Sequence, residues 1–218
     1  MTLEYLRQAL FFFKSHLVAL AAIQLPFLLI LALLKFSMMG QISDEMEALP
    51  SSFVFIGLLE LALLPLYWGA TIFYMKSVLD GNPLPTLQAI SLGISSWGRL
   101  LITYLLNGLA VMAGLIMLII PGVFIGVRLS FADYICVLEG KGASTSLKQS
   151  WGQSKEFFWT LLQGYLFIFV SLFLLQMLIE KAVGSSGISI LLSLVIDFCS
   201  ILITIFGFRL YTLSQDNS

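Results

Sequence analysis

The sequence predicts an all-α polytopic membrane protein. Hydrophobic residues make up 59% of its 218 residues and charged residues only 11%, whereas about 25% of the residues in an ordinary soluble domain are charged. Several apolar stretches approach the roughly 20 residues that a helix needs to cross a hydrocarbon core of about 30 Å. They lack the alternation of barrel strands, so helices are expected to satisfy the backbone groups in lipid.

Six spans are predicted, arranged as three hairpins. The fourth span is the shortest and carries charge, but it must cross because a polar segment follows Leu138. Pro121 and Gly122 predict a tight turn between the third and fourth spans, since both residue types interrupt helices. The predicted spans cover residues 17–39, 53–76, 100–120, 122–138, 159–180 and 187–209.

Each hairpin is preceded by a shorter segment with one apolar stripe and a polar back. In the first segment Leu6, Leu10 and Phe13 recur at steps of three and four, and in the third Leu147 and Trp151 share a face. Such helices lie in the membrane interface rather than across it. The segments are either a true internal repeat or ordinary amphipathic helices beside the membrane, and both interpretations stay open. Interfacial helices are predicted at residues 3–16, 85–98 and 143–158.

The basic residues predict the orientation. Eight of them fall on one side of the predicted spans, and only Lys35 and Lys181 fall on the other. Cytoplasmic loops carry an excess of lysine and arginine, so we expect both termini to lie in the cytoplasm. The eight residues are Arg7, Lys14, Lys76, Arg99, Lys141, Lys148, Lys155 and Arg209.

Ionisable residues inside the spans are candidates for a functional site. A charge at the centre of a membrane helix costs about 2.5–3.5 kcal/mol on insertion scales, so it usually faces other helices or water. Counted at about 1.5 Å per residue, Glu60, Arg128 and Asp197 lie at similar depths and are predicted to form one polar layer. Asp133 follows Arg128 by five residues and is expected to face elsewhere. The layer is either a site for an ion, a proton or a headgroup, or a structural clasp between helices.

Four basic residues are candidate contacts for lipid headgroups. Arg7 and Lys14 are seven residues apart in the first interfacial segment, and Lys148 and Lys155 repeat this spacing in the third. A basic residue near an anionic surface contributes about 1 kcal/mol, so the phospholipid bilayer, and anionic lipids in particular, are the expected partners. The alternative is that these residues act only as an orientation signal.

The sequence offers little for catalysis, metal binding or nucleic-acid recognition. Its single histidine, His16, belongs to no nucleophile, phosphate-binding or metal-ligand motif. Cys136 and Cys199 lie within apolar stretches and are expected to be core residues. The basic residues are spread along one membrane face, which argues against nucleic-acid binding. We therefore expect neither an enzyme nor a protein with a metal or a cofactor.

One stretch and the C-terminal region have a recognisable pattern. An apolar segment ends in Ile-Pro-Gly at Ile120–Gly122, its partner ends in Glu139–Gly140, and a Ser/Leu/Lys helix with Trp151 follows. Together with the closing Gly207–Leu213, this pattern resembles the YciC-like family of bacterial inner-membrane proteins from about Pro83 onward. It is similar, more distantly, to the membrane domain attached to some glycerophosphodiester phosphodiesterases. The resemblance implies an integral inner-membrane protein and carries over no catalytic residue.

Two functions are compatible with these features. The first is a non-enzymatic membrane protein that supports envelope or lipid homeostasis by binding or moving lipid, as the basic interfacial residues and the resemblance suggest. The second is a small secondary transporter or channel that uses the layer of Glu60, Arg128 and Asp197. A hollow bundle would favour the second function, and a closed bundle with lateral grooves would favour the first. The sequence leaves the oligomeric state open.

Overall fold

The protein is all-helical, as predicted. A computed structural model describes residues 2–38, 51–184 and 187–216, and these residues form ten helices and no strand. The helices are α1 (Thr2–Ser15), α2 (Leu17–Met38), α3 (Ser51–Leu79), α4 (Thr86–Met117), α5 (Ile119–Arg128), α6 (Ala132–Leu138), α7 (Ala143–Gln153), α8 (Phe158–Val183), α9 (Gly187–Cys199) and α10 (Ile201–Asp216).

Six segments within the described ranges are long and apolar enough to cross a membrane, which agrees with the predicted number of spans. The predicted end of the first span, residue 39, lies outside the described residues. The fourth segment joins α5 and α6, and the sixth joins most of α9 to α10. The segments are Leu17–Ser37, Val54–Leu79, Thr86–Met117, Ile119–Leu138, Phe158–Val183 and Leu191–Asp216.

The two terminal helices lie together at one end of the bundle. Arg209 of α10 donates a hydrogen bond from Nε to Gln8 Oε1 of α1 over 2.9 Å. Thr2 Oγ1 of α1 donates to Gln163 Oε1, near the start of α8, over 2.9 Å. We call this the proximal end, and we call the opposite end, where α2 finishes and α3 begins, the distal end.

The predicted interfacial helix at residues 85–98 is not a separate element. It is the first part of α4, which continues for 32 residues. The reason is close packing on α3, because a Cβ added to Gly93 would lie 2.8 Å from the backbone nitrogen of Ala70. Glycine lets the two backbones approach, so this segment is held against a neighbouring helix over its length.

The turn between the third and fourth spans lies at Leu118 rather than at Pro121 and Gly122. Leu118 alone is extended, with φ −169° and ψ 157°, between α4 and α5. Pro121 falls in the first turn of α5, where its missing N–H would have no partner within the helix. Gly122 instead faces Gly114 of α4, and a Cβ on Gly114 would lie 2.8 Å from the Gly122 Cα. The two glycines therefore bring the arms of this hairpin together.

Helix α7 presents its serine side to the bundle, whereas Trp151 of the predicted apolar stripe lies on its outer side. Trp151 is 41% exposed, whereas Ser146, Ser150 and Ser154 are fully buried. These serines recur every four residues, so they lie on one face of the helix. Small side chains on that face allow α7 to pack closely against its neighbours.

The buried serines satisfy the backbone where the fourth span is interrupted. The hydroxyls of Ser150 and Ser154 both donate to the carbonyl oxygen of Arg128, over 3.0 Å and 2.8 Å. The backbone N–H of Phe131 donates to Ser150 Oγ over 3.0 Å. A break between α5 and α6 would otherwise leave buried backbone groups unpaired, at a cost of about 1–3 kcal/mol each.

Aromatic rings pack together in the proximal half of the bundle. The rings of Phe131, Tyr134, Phe208 and Tyr211 lie 5.5 to 6.5 Å apart between centroids. The Tyr134 hydroxyl also donates to the backbone oxygen of Thr204 over 2.9 Å. This packing joins α6 to α10.

Glycines allow α8 and α10 to meet beside these rings. A Cβ on Gly164 of α8 would overlap the ring of Phe206, which is fully buried. A Cβ on Gly207 of α10 would overlap the hydroxyl of Tyr165 in α8. Neither position has room for a larger residue.

A carboxylate links three elements at the proximal end. Glu139, just after α6, pairs with Lys141 over 2.7 Å and accepts hydrogen bonds from Tyr211 of α10 and Gln149 of α7. Burial raises the pKa of Glu139, but the hydrogen bonds from Lys141, Gln149 and Tyr211 lower it by more. The net result is a pKa below the ordinary value for glutamate, so the charged form is favoured here.

Candidate functional site

A cavity of about 780 Å³ lies in the distal half of the bundle. At the distal end it begins beside Lys35, near the end of α2, and Glu180, near the end of α8. It reaches inward to Gln24 of α2 and Thr204 of α10. Its size falls within the range of about 300–1,000 Å³ that is usual for small-molecule sites. The bundle is therefore hollow at one end.

Two of the three predicted polar-layer residues line this cavity. Glu60 comes from α3 and Asp197 from α9. The cation beside them is Lys35, whose Nζ lies 3.6 Å from Glu60 Oε2, with 44% and 45% of the two side chains exposed. Lys35 and Glu60 are also the charged groups that interact electrostatically with the Asp197 carboxyl. From the sequence, Lys35 is only one of two basic residues on the side opposite the other eight. Its position inside the predicted first span could have marked it as a candidate for the polar layer.

Arg128 does not join them, which corrects the predicted layer. Its guanidinium carbon lies 5.0 Å from the centroid of the Trp151 ring of α7, and the residue is only 7% exposed. No ion pair among the described residues includes Arg128, and its buried Nε has no hydrogen-bond partner there. The depth count failed because the fourth span is not one straight helix: α5 ends at Arg128 and packs on α4, α7 and α8.

Three aromatic residues line the inner part of the cavity. They are Tyr67 and Trp68 of α3 and Tyr104 of α4. Trp68 Nε1 donates to Thr204 Oγ1 over 2.6 Å, and the Trp68 and Tyr104 rings lie 6.1 Å apart between centroids. The sequence does not distinguish these residues, because an aromatic residue in an apolar span looks the same whether it faces lipid, core or cavity.

Asp133 lies behind the aromatic residues. Leu64, Trp68 and Tyr104 line both the cavity and a small void that reaches Asp133 of α6. Its Oδ1 is buried and has no hydrogen-bond partner in the part of the chain that the structure describes. Trp68 and Tyr104 therefore form a partition between the cavity and a buried carboxyl group.

Most polar groups around the cavity are paired, but one carboxylate is not. Gln24 Nε2 donates to Thr71 Oγ1 over 3.2 Å, and Gln176 Nε2 donates to Glu180 Oε1 over 2.8 Å. Within residues 2–38, 51–184 and 187–216, no hydrogen bond or ion pair engages the Asp197 carboxylate. The described lining holds the carboxylates of Glu60, Glu180 and Asp197 against the single ammonium of Lys35. This excess of negative charge favours a cationic guest.

The four candidate headgroup contacts separate into two groups. Arg7, Lys14, Lys148 and Lys155 are all exposed. Arg7 lines a second cavity at the proximal end, between α1, α3 and α10. The other three residues line neither that cavity nor the distal one.

Comparison with known proteins gives a family match. A model of the uncharacterised protein family UPF0259 matches residues 51–213. This match includes the second span, which precedes the region from Pro83 where the YciC-like resemblance begins. It also covers every residue of the distal cavity except those contributed by α2.

Individual relatives agree with this family. The chain is 26% identical over 147 residues to a UPF0259 membrane protein of Photorhabdus laumondii, covering 66% of this chain and 57% of the relative. It is 28% identical over 156 residues to a UPF0259 membrane protein of Sodalis glossinidius, covering 66% and 59%. The match thus spans somewhat more than half the length of these relatives. No solved structure matches the chain. The protein belongs to the UPF0259 family, a family of bacterial membrane proteins.

Proposed function

We propose that this protein binds a molecule that carries an ammonium group in its distal cavity and moves it across the bacterial inner membrane, without covalent chemistry. The observation that carries the proposal is the combination of carboxylates and aromatic rings in one cavity. Glu60 and Asp197 supply negative charge, and Tyr67, Trp68 and Tyr104 supply ring faces. Ammonium groups are bound by both kinds of partner, since a cation is attracted to the face of an aromatic ring.

The asymmetry of the bundle supports movement as well as binding. Alternating access requires a site that opens first to one side of the membrane and then to the other. Here the cavity extends to the distal end, whereas the packed rings of Phe131, Tyr134, Phe208 and Tyr211 lie on its proximal side. In this proposal the structure corresponds to one of two states, and the partition of Trp68 and Tyr104 must move to reach the other.

The lipid-moving function expected from the sequence would also require a site that binds an ammonium group. Phosphatidylethanolamine carries an ammonium group, so its headgroup and a free amine would make the same contacts. The more distant similarity to the membrane domain of glycerophosphodiester phosphodiesterases stays a prediction. The experiment must therefore separate a soluble amine from a lipid headgroup.

Binding is tested with choline and its uncharged carbon isostere, in which a tert-butyl group replaces the trimethylammonium group. We expect the purified full-length protein to bind choline and not the isostere in calorimetry. Asp197→Asn and Glu60→Gln should each weaken choline binding about tenfold, a loss of about 1.4 kcal/mol. Glu156→Gln removes an exposed carboxylate outside the cavity and serves as the control. Equal binding of choline and the isostere would refute the proposal.

Movement is tested in proteoliposomes with two arms. One arm measures uptake of radiolabelled choline and ethanolamine, and the other measures flipping of fluorescent phosphatidylethanolamine between leaflets. Activity in the first arm identifies a soluble substrate, and activity in the second identifies a lipid. If the wild type binds choline but shows neither uptake nor lipid flipping, the protein binds its ligand without moving it, and the transport part of the proposal is refuted.

The orientation is part of the proposal and has its own test. With Cys136 and Cys199 replaced, a cysteine at Ser43 or Ser185 should react with an impermeant thiol reagent added to intact cells; both positions lie outside the described residues. A cysteine at the exposed Ser144, beside the start of α7, should not react. Labelling at Ser144 from outside would reverse the orientation.

A further inference from the structure

A second cavity, of about 610 Å³, lies at the proximal end. It is enclosed by α1, by the last turns of α3 and by α10. Most of its wall is apolar, and this wall could hold part of an acyl chain. The apolar lining consists of Ala9, Phe11, Phe12, Met75, Val78, Leu79, Ile205 and Phe208.

The polar groups of this cavity are dominated by two arginines. Arg7 of α1 and Arg209 of α10 are both part of the lining, and Glu4 is its single carboxylate among the residues that the structure describes. Arg209 Nε donates to Gln8 Oε1 over 2.9 Å, which fixes the guanidinium plane and leaves its terminal nitrogens for another acceptor. The cavity therefore has an apolar body and a rim with an excess of positive charge.

We propose that this proximal cavity binds one anionic phospholipid, with its phosphate between Arg7 and Arg209 and its chain along Phe11 and Phe208. The planar guanidinium presents paired donors that match a phosphate, and two arginines exceed the charge of one glutamate. The apolar wall excludes a free phosphate as the complete ligand, since such an ion would leave the wall empty. This site is separate from the distal cavity and does not depend on its function.

The structure distinguishes this proposal from a general attraction of lipids to basic residues. Lys148 and Lys155 are exposed on and beside α7 but line neither cavity. Replacing this pair removes the same two charges as replacing Arg7 and Arg209. The pair is therefore a matched control.

The test is native mass spectrometry of the full-length protein after exchange into equal amounts of phosphatidylglycerol and phosphatidylcholine. We expect the wild type to retain one phosphatidylglycerol in preference to phosphatidylcholine. The double variant Arg7→Gln, Arg209→Gln should lose about thirtyfold in this retention, given the usual contribution of two basic residues at an anionic surface. The double variant Lys148→Gln, Lys155→Gln should retain the lipid as the wild type does.

Three outcomes would overturn the proposal: equal retention of the two lipids, an equal loss in the two glutamine variants, or complete displacement of the lipid by inorganic phosphate. The last would make the cavity a site for the free ion. If the arginine-to-glutamine variant does not fold, Arg7→Lys, Arg209→Lys keeps both charges and removes the paired donors. Retention of phosphatidylglycerol by that variant should fall between its retention by the wild type and the retention measured for phosphatidylcholine. Unchanged retention of phosphatidylglycerol would show that the guanidinium groups have no specific role.

Discussion

The distal and proximal halves of the bundle use polar residues in opposite ways. In the distal half Lys35, Glu60 and Asp197 line a cavity and remain accessible. In the proximal half, buried polar groups such as Ser150 and Ser154 are paired with backbone atoms. The comparison indicates that the buried polar groups of the proximal half hold the fold together, whereas the polar groups of the distal cavity are available for a ligand. Substitutions of similar size should therefore change stability in one half and binding in the other.

The largest effect is expected at the contact between α8 and α10. Gly164→Ala places a methyl group that overlaps the edge of the Phe206 ring, which is fully buried. Overpacking of a core typically costs about 1–3 kcal/mol, and we expect the upper part of this range. Gly108→Ala is the control, because nothing lies within 4 Å of its added Cβ. Melting in detergent should separate the two variants, and equal melting temperatures would contradict the packing.

A smaller loss is expected at the serine face of α7. Ser150→Ala removes the acceptor of the Phe131 N–H and one of two donors to the Arg128 carbonyl. A buried group left unpaired costs about 1–3 kcal/mol. Ser154→Ala should cost less, since Ser150 still donates to the same carbonyl, and the exposed Ser144→Ala should be neutral. Equal stability of the Ser150 and Ser144 variants in detergent melts would show that α7 does not stabilise the interruption between α5 and α6.

Substitutions in the distal cavity should change ligand binding and leave stability nearly unchanged. Glu60→Gln and Asp197→Asn are expected to change the free energy of unfolding by no more than about 0–1 kcal/mol. The Lys35–Glu60 pair is exposed and such pairs contribute little, and Asp197 makes no ion pair among the described residues. Both should nevertheless weaken choline binding about tenfold. Measuring melting and calorimetry on the same preparations checks this, and a loss of stability as large as that of Gly164→Ala would remove the distinction between the two halves.

The smallest effect is a pH dependence at the proximal end. The pKa of Glu139 is lower in the folded state than its ordinary value, so its carboxylate contributes stability above that ordinary value. This contribution is lost as the pH falls through the lowered pKa of the folded state. Glu139→Gln should lower the melting temperature in detergent at neutral pH, where the carboxylate contributes, and should change it less at acid pH, so the acid side of the melting profile becomes flatter. An unchanged slope would mean that other carboxyl groups control it.

The sequence predicted the helical class and the number of spans, because hydropathy depends on residues one at a time. It did not predict that α4 is continuous, that Leu118 forms the turn, or that serines form the buried side of α7. Those features depend on how closely two backbones approach, as at Gly93 and Gly122.

The candidate site was predicted only in part for a related reason. Glu60 and Asp197 were paired by counting depth along helices, and the count was adequate where the helices run without a break. It failed for Arg128 because α5 ends there, and it did not consider Lys35, which extends from the last turn of α2. The aromatic residues carry no charge, so only the structure identified them.

A bundle that is hollow at its distal end and filled by packed aromatic rings farther in divides an electric potential unevenly. The aqueous distal cavity offers little resistance to the field, so most of a transmembrane voltage would fall across the region on the proximal side of this cavity. A potential of about 100 mV changes the energy of one elementary charge by about 2.3 kcal/mol over its full drop. A cation held at Asp197 has crossed little of that drop, and the step past Trp68 and Tyr104 contains most of it. The partition is therefore where membrane voltage would act on the proposed transport.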